Sequence, residues 1–237
     1  MKKLLALLLA MVMLLSLAAC GNTSDDDEDD VRGSVSSQKD DDNDTDKDVD
    51  KETDKEAAEA EVEAGTSTNN TYKNAFAGIT CTLGSDWTFM TDEEIKANNE
   101  RTMSMIGDDY AEAIKNATYF TDMMATHTNG VDTVNVIFEK LTGVNQYLTE
   151  DQYADICKDS TKGALESMGM TNVTVTAEKG IFAGEEHNFL AVSGEFNGVP
   201  VYERLAVLRC GSYVVSVTAC TWYTDTCKNI LDSFKAI

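Results

Sequence analysis

Proline and histidine are scarce in this chain of 237 residues, which contains one Pro, Pro200, and two His, His127 and His187. So few imidazoles argue against a catalytic centre or metal site built on several histidines. The cysteines form no C-x-x-C pair, so structural zinc and thioredoxin-like redox chemistry lack their usual spacing. The sequence also lacks G-x-S-x-G, H-E-x-x-H and a phosphate-binding glycine loop. We therefore predict no catalytic residues, no metal ligands and no cofactor.

Basic residues are also in short supply, since 19 Lys and Arg stand against 42 Asp and Glu, for a net charge of −23. Residues 21–72 carry −14 of this charge and residues 73–237 carry −11. A surface this acidic argues against nucleic acid as a partner.

Long apolar runs are absent after the N-terminus, so no transmembrane helix is predicted. At the N-terminus, two lysines precede an apolar run from Leu4 to Leu17 that only Ser16 interrupts. A run of this length suits a secretory signal and is too short to span a membrane comfortably.

The run ends in Leu17-Ala18-Ala19-Cys20, which resembles the bacterial lipobox. In lipoproteins of that class the cysteine thiol is diacylated and the leader is cleaved just before it. The resemblance implies that residues 1–19 are a signal peptide, that signal peptidase recognises Leu17, Ala18 and Ala19, and that lipidated Cys20 anchors the protein to the membrane outside the cytoplasm. The alternative is an ordinary signal peptide with an incidental cysteine.

Residues 20–72 are predicted to be a disordered acidic linker. Residues 21–72 contain no Leu, Ile, Phe, Met or Trp, so they cannot bury enough apolar surface to offset their chain entropy. The remaining residues, 73–237, are long enough to form one domain with its own core.

Strand and helix patterns alternate through this domain. Strands are predicted in "AFAGITCTLG" (75–84) and "WTFM" (87–90), and a hairpin across Asn129-Gly130. Thr91 with Glu94 and Thr149 with Gln152 are capping boxes that each begin a helix, and another helical piece covers residues 108–117. Three strands then precede a fourth over residues 213–222, with a hairpin at Asn197-Gly198, and a closing helix carries Cys227 to Phe234. This order predicts an α+β fold in which helices cover an antiparallel β-sheet.

The stretch "YKNAFAGITCTLGSDWTFMTDEEI" (72–95) resembles the start of many small bacterial lipoproteins of the PsbP-like family. The element order across 73–237 is similar to that family's α/β/α sandwich. The chain departs from the pattern at Gly84-Ser85-Asp86-Trp87, where a Pro commonly precedes a Gly-Trp pair. The resemblance implies docking to partners and supplies no shared catalytic residues.

Five cysteines follow Cys20, which allows at most two disulfides. Cys81, Cys157 and Cys227 lie in apolar patterns and are expected to be buried thiols. Cys220 and Cys227 flank a strand-to-helix turn and are the disulfide pair that the sequence favours.

Four aromatic residues are candidates for lining a ligand groove, although core packing is the competing interpretation. They are Trp87, Tyr110, Tyr202 and Trp222. His127 and His187 are predicted to lie in polar turns, and neither has a thiol near it in sequence.

Three functions of different class remain. The leading hypothesis is a membrane-anchored, non-catalytic binding or adaptor module that docks to a protein or envelope component, for which an exposed apolar patch is expected. The second is a small-molecule carrier or sensor, for which a pocket of about 300 Å3 or more with convergent polar groups is expected. The third is an enzyme of unrecognised type, which a histidine bonded to a thiol or carboxylate in a cleft would favour.

Overall fold

The computed structural model describes residues 62–103 and 118–237. The predicted signal peptide, Cys20, most of the predicted linker and the predicted helix at 108–117 lie outside these ranges. In chain order the strands are β1 (Thr66–Thr68), β2 (Thr71–Asn74), β3 (Ile79–Thr82), β4 (Trp87–Phe89), β5 (Thr118–His127), β6 (Thr133–Lys140), β7 (Met170–Phe182), β8 (Glu185–Phe196), β9 (Val199–Cys210), β10 (Tyr213–Trp222) and β11 (Phe234–Ala236). The helices are α1 (Asp92–Met103), α2 (Glu150–Ser167) and α3 (Cys227–Leu231), with a 3-10 helix at Gly143–Tyr147.

Two antiparallel sheets organise the described residues. The large sheet has seven strands in the order β4-β5-β6-β10-β9-β8-β7, and the small sheet has four in the order β1-β2-β3-β11. Every strand pair in both sheets is antiparallel. The predicted α+β class with an antiparallel sheet is therefore confirmed.

The large sheet is apolar on both faces because it is covered on both. On one face, α2 packs Tyr153, Cys157 and Leu165 against strands β7 to β10. On the other face, the small sheet and α3 pack against β5, β6, β9 and β10. The element order predicts that helices cover the sheet, whereas this second face is covered largely by the small sheet.

Local signals define the helix starts. Thr149 accepts a hydrogen bond from the Gln152 backbone N–H while the Gln152 side chain accepts one from the Thr149 backbone, which confirms the second capping box. The same reciprocal pair joins Thr91 and Glu94 at the start of α1.

The hairpin between β8 and β9 turns at Asn197 and Gly198, whose φ angles are +52° and +76°. Two consecutive positive φ angles define the tight turn that Asn-Gly sequences favour, so the predicted hairpin is confirmed. Asn69 and Asn70 form a turn of the same kind between β1 and β2, with φ angles of +49° and +59°.

This first hairpin lies partly on the linker side of the predicted boundary between residues 72 and 73. β1 and the first half of β2 precede Lys73, and Thr66 pairs with Lys73 itself. The folded domain therefore begins earlier than the sequence analysis placed it. Polar strands such as Thr66–Thr68 carry no hydrophobic alternation, which is why the pattern did not reveal them.

Two element predictions are corrected. Residues 75–78, assigned to the first strand, form a turn, and β3 begins at Ile79. The closing helix ends at Leu231, and Phe234 lies in β11, which pairs with β3. Phe234 is still buried in the same core as Ile230 and Leu231. Its apolar spacing therefore predicted burial correctly, but it predicted a helix where the chain forms a strand.

Within the described ranges, no helix has both the length and the apolar composition required to cross a membrane.

Candidate functional site

Two clefts containing a histidine lie at opposite ends of the large sheet. One cleft, of about 230 Å3, is formed where β8 begins and β9 ends, and it includes His187, Arg209 and Cys210. The other, of about 290 Å3, is formed where β5 ends and β10 gives way to α3, and it includes Trp87 and His127. We call them the His187 cleft and the Trp87 cleft.

In the His187 cleft the imidazole is held by a carboxylate from the start of α2. His187 Nδ1 lies 3.2 Å from both carboxylate oxygens of Glu150. The Arg209 backbone N–H also donates to Glu150 Oε1, at 2.9 Å. The hydrogen bond that His187 donates to Glu150 is the main reason why the pKa of His187 is raised above its usual value of 6.5, although burial opposes the shift. Burial favours a higher pKa for Glu150, but hydrogen bonds from His187 and Arg209 outweigh it, so the pKa of Glu150 is lowered. The pair is therefore an ion pair in mildly acidic solution.

Cys210 lies in the same cleft but is not an activated nucleophile. Burial, assisted by the nearby Glu150 carboxylate, raises the pKa of its thiol to about 11. A neutral thiol at physiological pH is a poor nucleophile. Among the described residues, no hydrogen bond joins His187 to Cys210, so the cleft lacks the geometry of a Cys-His dyad.

Exposed apolar side chains lie beside this cleft, on the 3-10 helix. Val144 is 83% exposed and Tyr147 is 78% exposed. The Arg209 guanidinium donates to the backbone carbonyl of Gln146, at 2.8 Å, and so ties the 3-10 helix to the end of β9. On α2, the helix that follows, Ile156 is 47% exposed. We use the name apolar surface for these three exposed side chains of the 3-10 helix and the first half of α2, Val144, Tyr147 and Ile156.

In the Trp87 cleft both nitrogens of His127 are occupied. Nε2 lies 2.8 Å from Asp86 Oδ2, and Nδ1 accepts the backbone N–H of Asn129 at 3.2 Å. Because Nδ1 is an acceptor here, the proton is on Nε2 and the imidazole is neutral. His127 has no lone pair left to act as a general base in this arrangement. The hydrogen bond from His127 is the main cause of a lowered pKa at Asp86.

Of the four aromatic residues predicted to line a groove, the three that the structure describes do not come together. Trp87 lines the Trp87 cleft, and Tyr110 lies outside the described residues. Tyr202 packs against the core under the small sheet, whereas Trp222 is buried in the α2 core against Phe196. Successive side chains of a strand point to opposite faces of the sheet. Tyr202 is paired with Thr221, the residue before Trp222, so the Tyr202 and Trp222 side chains lie on opposite faces.

The predicted Cys220–Cys227 disulfide is absent, since both residues are free thiols. Cys220 faces the α2 side of β10. Cys227 lies on the other side of the sheet, where its thiol contacts the Thr221 hydroxyl. A disulfide requires the two Cβ atoms to point toward each other, and the sheet separates these two. The expectation that Cys81, Cys157 and Cys227 are buried is confirmed.

A polar row inside the α2 side of the large sheet was not anticipated. Glu203 on β9 pairs with Cys220 on β10, which pairs with Thr133 on β6, and Thr133 pairs with Thr126 on β5. Glu203 is only 2% exposed, and its carboxylate oxygens have no hydrogen-bond partner among the described residues. Burial raises the pKa of Glu203 to about 8, while Cys220 acts to lower it. The sequence contained one sign of this buried acid: Glu203 alternates with Val201 and Leu205, which both face the core.

Among the described residues, no group of three or more His, Cys, Asp or Glu side chains is arranged to hold a metal ion.

No protein-family model matches this chain, and no curated protein matches it. Among solved structures, the chain is similar to LpqN, involved in cell envelope biogenesis of Mycobacterium tuberculosis, with a TM-score of 0.39 and 14% sequence identity. The similarity covers 66% of this chain and 82% of LpqN.

Proposed function

We propose that this protein is a non-catalytic binding module, anchored to the outer face of the cell membrane through lipidated Cys20, that docks to a protein of the cell envelope. The anchor follows from the resemblance of Leu17-Ala18-Ala19-Cys20 to a lipobox, and the acidic segment after it would serve as a tether. The observation that carries the docking role is the apolar surface.

The apolar surface is suited to docking because its side chains are exposed on a supported segment. Val144 and Tyr147 are more than three-quarters exposed, and the Arg209–Gln146 hydrogen bond holds the backbone between them. Aromatic residues on a preorganised backbone contribute strongly to protein interfaces because little conformational entropy is lost on binding.

The net charge of the domain indicates a basic partner. Asp155 and Asp159 are exposed on α2 and flank Ile156. Residues 73–237 carry a net charge of −11, so the wider field has the same sign. A partner with basic residues around an apolar pocket would be complementary in both respects, and its association rate would fall as salt is added.

We propose that the protein is not an enzyme because of the arrangement of its two histidine sites. Each histidine pairs with a carboxylate in a cleft, which is the arrangement that would favour an enzyme. However, both nitrogens of His127 are occupied, and the thiol nearest to a catalytic role, Cys210, has a pKa of about 11. Neither site combines a free base with an activated nucleophile.

The test is crosslinking on intact cells that express the lipoprotein, followed by mass spectrometry of what is attached. The double variant Val144→Ser, Tyr147→Ser should lose its dominant protein partner. Tyr223→Ser is the matched control because Tyr223 is 68% exposed at the opposite end of the sheet. Scrambling the linker should leave the partner in place. A partner retained by the double variant, or no partner above background, would contradict the docking role.

A second candidate role, as a small-molecule carrier or sensor, is favoured by one observation. The Trp87 cleft has a volume of about 290 Å3, close to the lower limit of about 300 Å3 for typical ligand sites. Its lining combines an indole ring with several hydroxyl and amide groups.

A further inference from the structure

We propose that the Trp87 cleft binds a neutral, hydroxyl-rich ligand, namely a saccharide unit. This inference rests on the second candidate role above and is independent of the apolar surface, since the two lie at opposite ends of the large sheet.

One wall of the cleft is an apolar platform fixed in place. Trp87 packs against the edge of His127, with ring centroids 5.2 Å apart and an interplanar angle of 63°. His127 is itself held by Asp86 and by the Asn129 backbone N–H. The indole is therefore preorganised, and Ile230 extends the apolar wall. A sugar ring presents one face of C–H groups that can stack on such a platform.

The segment around α3 supplies neutral polar groups to the cleft. Thr226, Asn229 and Ser233 line it, although the Ser233 hydroxyl already donates to the Ile230 backbone carbonyl at 2.6 Å and can only accept a hydrogen bond from a ligand. The Thr226 side chain makes no capping bond to α3, and the Asn229 amide is exposed. Sugar hydroxyls also donate and accept, so amide and hydroxyl groups are matched partners for them.

Charge argues against anionic ligands. Among the described residues that line the cleft there is no Lys or Arg, so a phosphate or carboxylate ligand would find no counter-charge. Two carboxylates stand near the cleft, but each already accepts a hydrogen bond. Asp132 Oδ1 accepts the Trp222 backbone N–H at 3.0 Å, and Asp86 is paired with His127. One accepted hydrogen bond leaves each carboxylate with further acceptor sites, so the absence of Lys and Arg argues against anions, and a cationic probe is needed to test the other charged class.

The experiment uses the intact lipoprotein, solubilised in a detergent without a sugar headgroup. Saturation-transfer NMR would be recorded with methyl glycosides of glucose, galactose, mannose and N-acetylglucosamine, and with choline and inorganic phosphate as probes of the two charged classes. We expect transfer to the ring protons of at least one glycoside and none to choline or phosphate.

Variants locate the binding. Asn229→Ala, an exposed change that leaves the core intact, should weaken the bound glycoside at least about five-fold because one hydrogen bond is lost. Trp87→Leu should abolish the transfer, and Ile181→Thr, an exposed change outside the cleft, should leave it unchanged. Binding of no glycoside, preferential binding of choline or phosphate, or glycoside binding that survives Asn229→Ala would each overturn the proposal. Because Asn229 is far from the apolar surface along the sheet, the same variant should still crosslink to the docking partner, so the two proposals fail separately.

Discussion

The backbone N–H of Gly65 donates to both carboxylate oxygens of Asp122, at 2.8 and 3.0 Å, although the two residues are 57 positions apart. Asp122 is the extra residue of a bulge in β5, between Thr121 and Met123, which frees its side chain from the strand pairing. The Tyr72 hydroxyl and the Asn74 amide donate to the same carboxylate. This group joins the small sheet to the large one.

Replacing Asp122 with Ala should lower the free energy of unfolding by about 3 kcal/mol, because several hydrogen bonds to a charged group are lost and the Tyr72 hydroxyl loses its partner. Gly65→Ala should also destabilise the domain, since a Cβ at residue 65 would lie 2.6 Å from Asp122 Oδ2. Urea denaturation would measure both changes.

A chain starting at Val62 should match the longer protein in stability, whereas one starting at Lys73 should not. Equal stability of the two truncated chains would contradict the role of Gly65.

Glu203 should make the domain less stable as pH rises. The carboxyl releases its proton near pH 4.5 in the unfolded chain and near pH 8 in the folded one. Between these values the folded state holds one proton more, so the free energy of unfolding falls by about 1.4 kcal/mol for each pH unit. Glu203→Gln stays neutral and removes this dependence. The difference in free energy of unfolding between Glu203→Gln and wild type should grow from pH 5 to pH 8. If the two plots of unfolding free energy against pH were parallel, the pKa of Glu203 would not be raised in the folded state.

His187 should titrate above 6.5, because Glu150 stabilises the imidazolium. The ion pair contributes stability that is complete below pH 6.5 and is lost as pH rises through the raised pKa of His187. The imidazole proton shifts in NMR spectra would give the midpoint directly. Glu150→Gln should bring it down, and a midpoint unaffected by that change would mean that Glu150 is not the cause.

Cys210 should be the first thiol of the domain to react with an alkylating reagent. Among the described residues, Cys210 is half-exposed, whereas the other four cysteines are buried: Cys81, Cys157, Cys220 and Cys227. The reaction should be slow at neutral pH and accelerate up to about pH 11, since the thiolate is the reactive form. Peptide-resolved mass spectrometry would follow the labelling, with Cys210→Ser as the control. A Cys220–Cys227 disulfide detected in the same peptides after mild oxidation would contradict their placement on opposite faces.

Local features were predictable because they depend on residues close in sequence. The capping boxes at Thr91 and Thr149 and the turn at Asn197-Gly198 each involve interactions within a few residues, and all three are present. The end of the chain shows the limit of this reasoning. Apolar spacing correctly indicated that Phe234 is buried, but pairing with β3 makes it part of a strand.

The candidate sites were less predictable, because each depends on residues that only the sheet brings together. His187 and Glu150 are 37 positions apart, and His127 and Asp86 are 41 apart. Trp87 lies in a cleft, but the residues that share it come from several distant segments, including the one around α3.

The sequence by itself determined the acidic charge, the α+β class, the hairpins and the helix starts, because composition and short-range patterns carry that information. The tertiary structure decided which side chains meet. Pairing β10 with β9 aligns Glu203 with Cys220 and puts Tyr202 and Trp222 on opposite faces of the sheet, and the packing of α3 puts Cys227 on the face opposite Cys220. Strand order and register are long-range properties, and a shift of one residue exchanges every side chain between the two faces of a sheet.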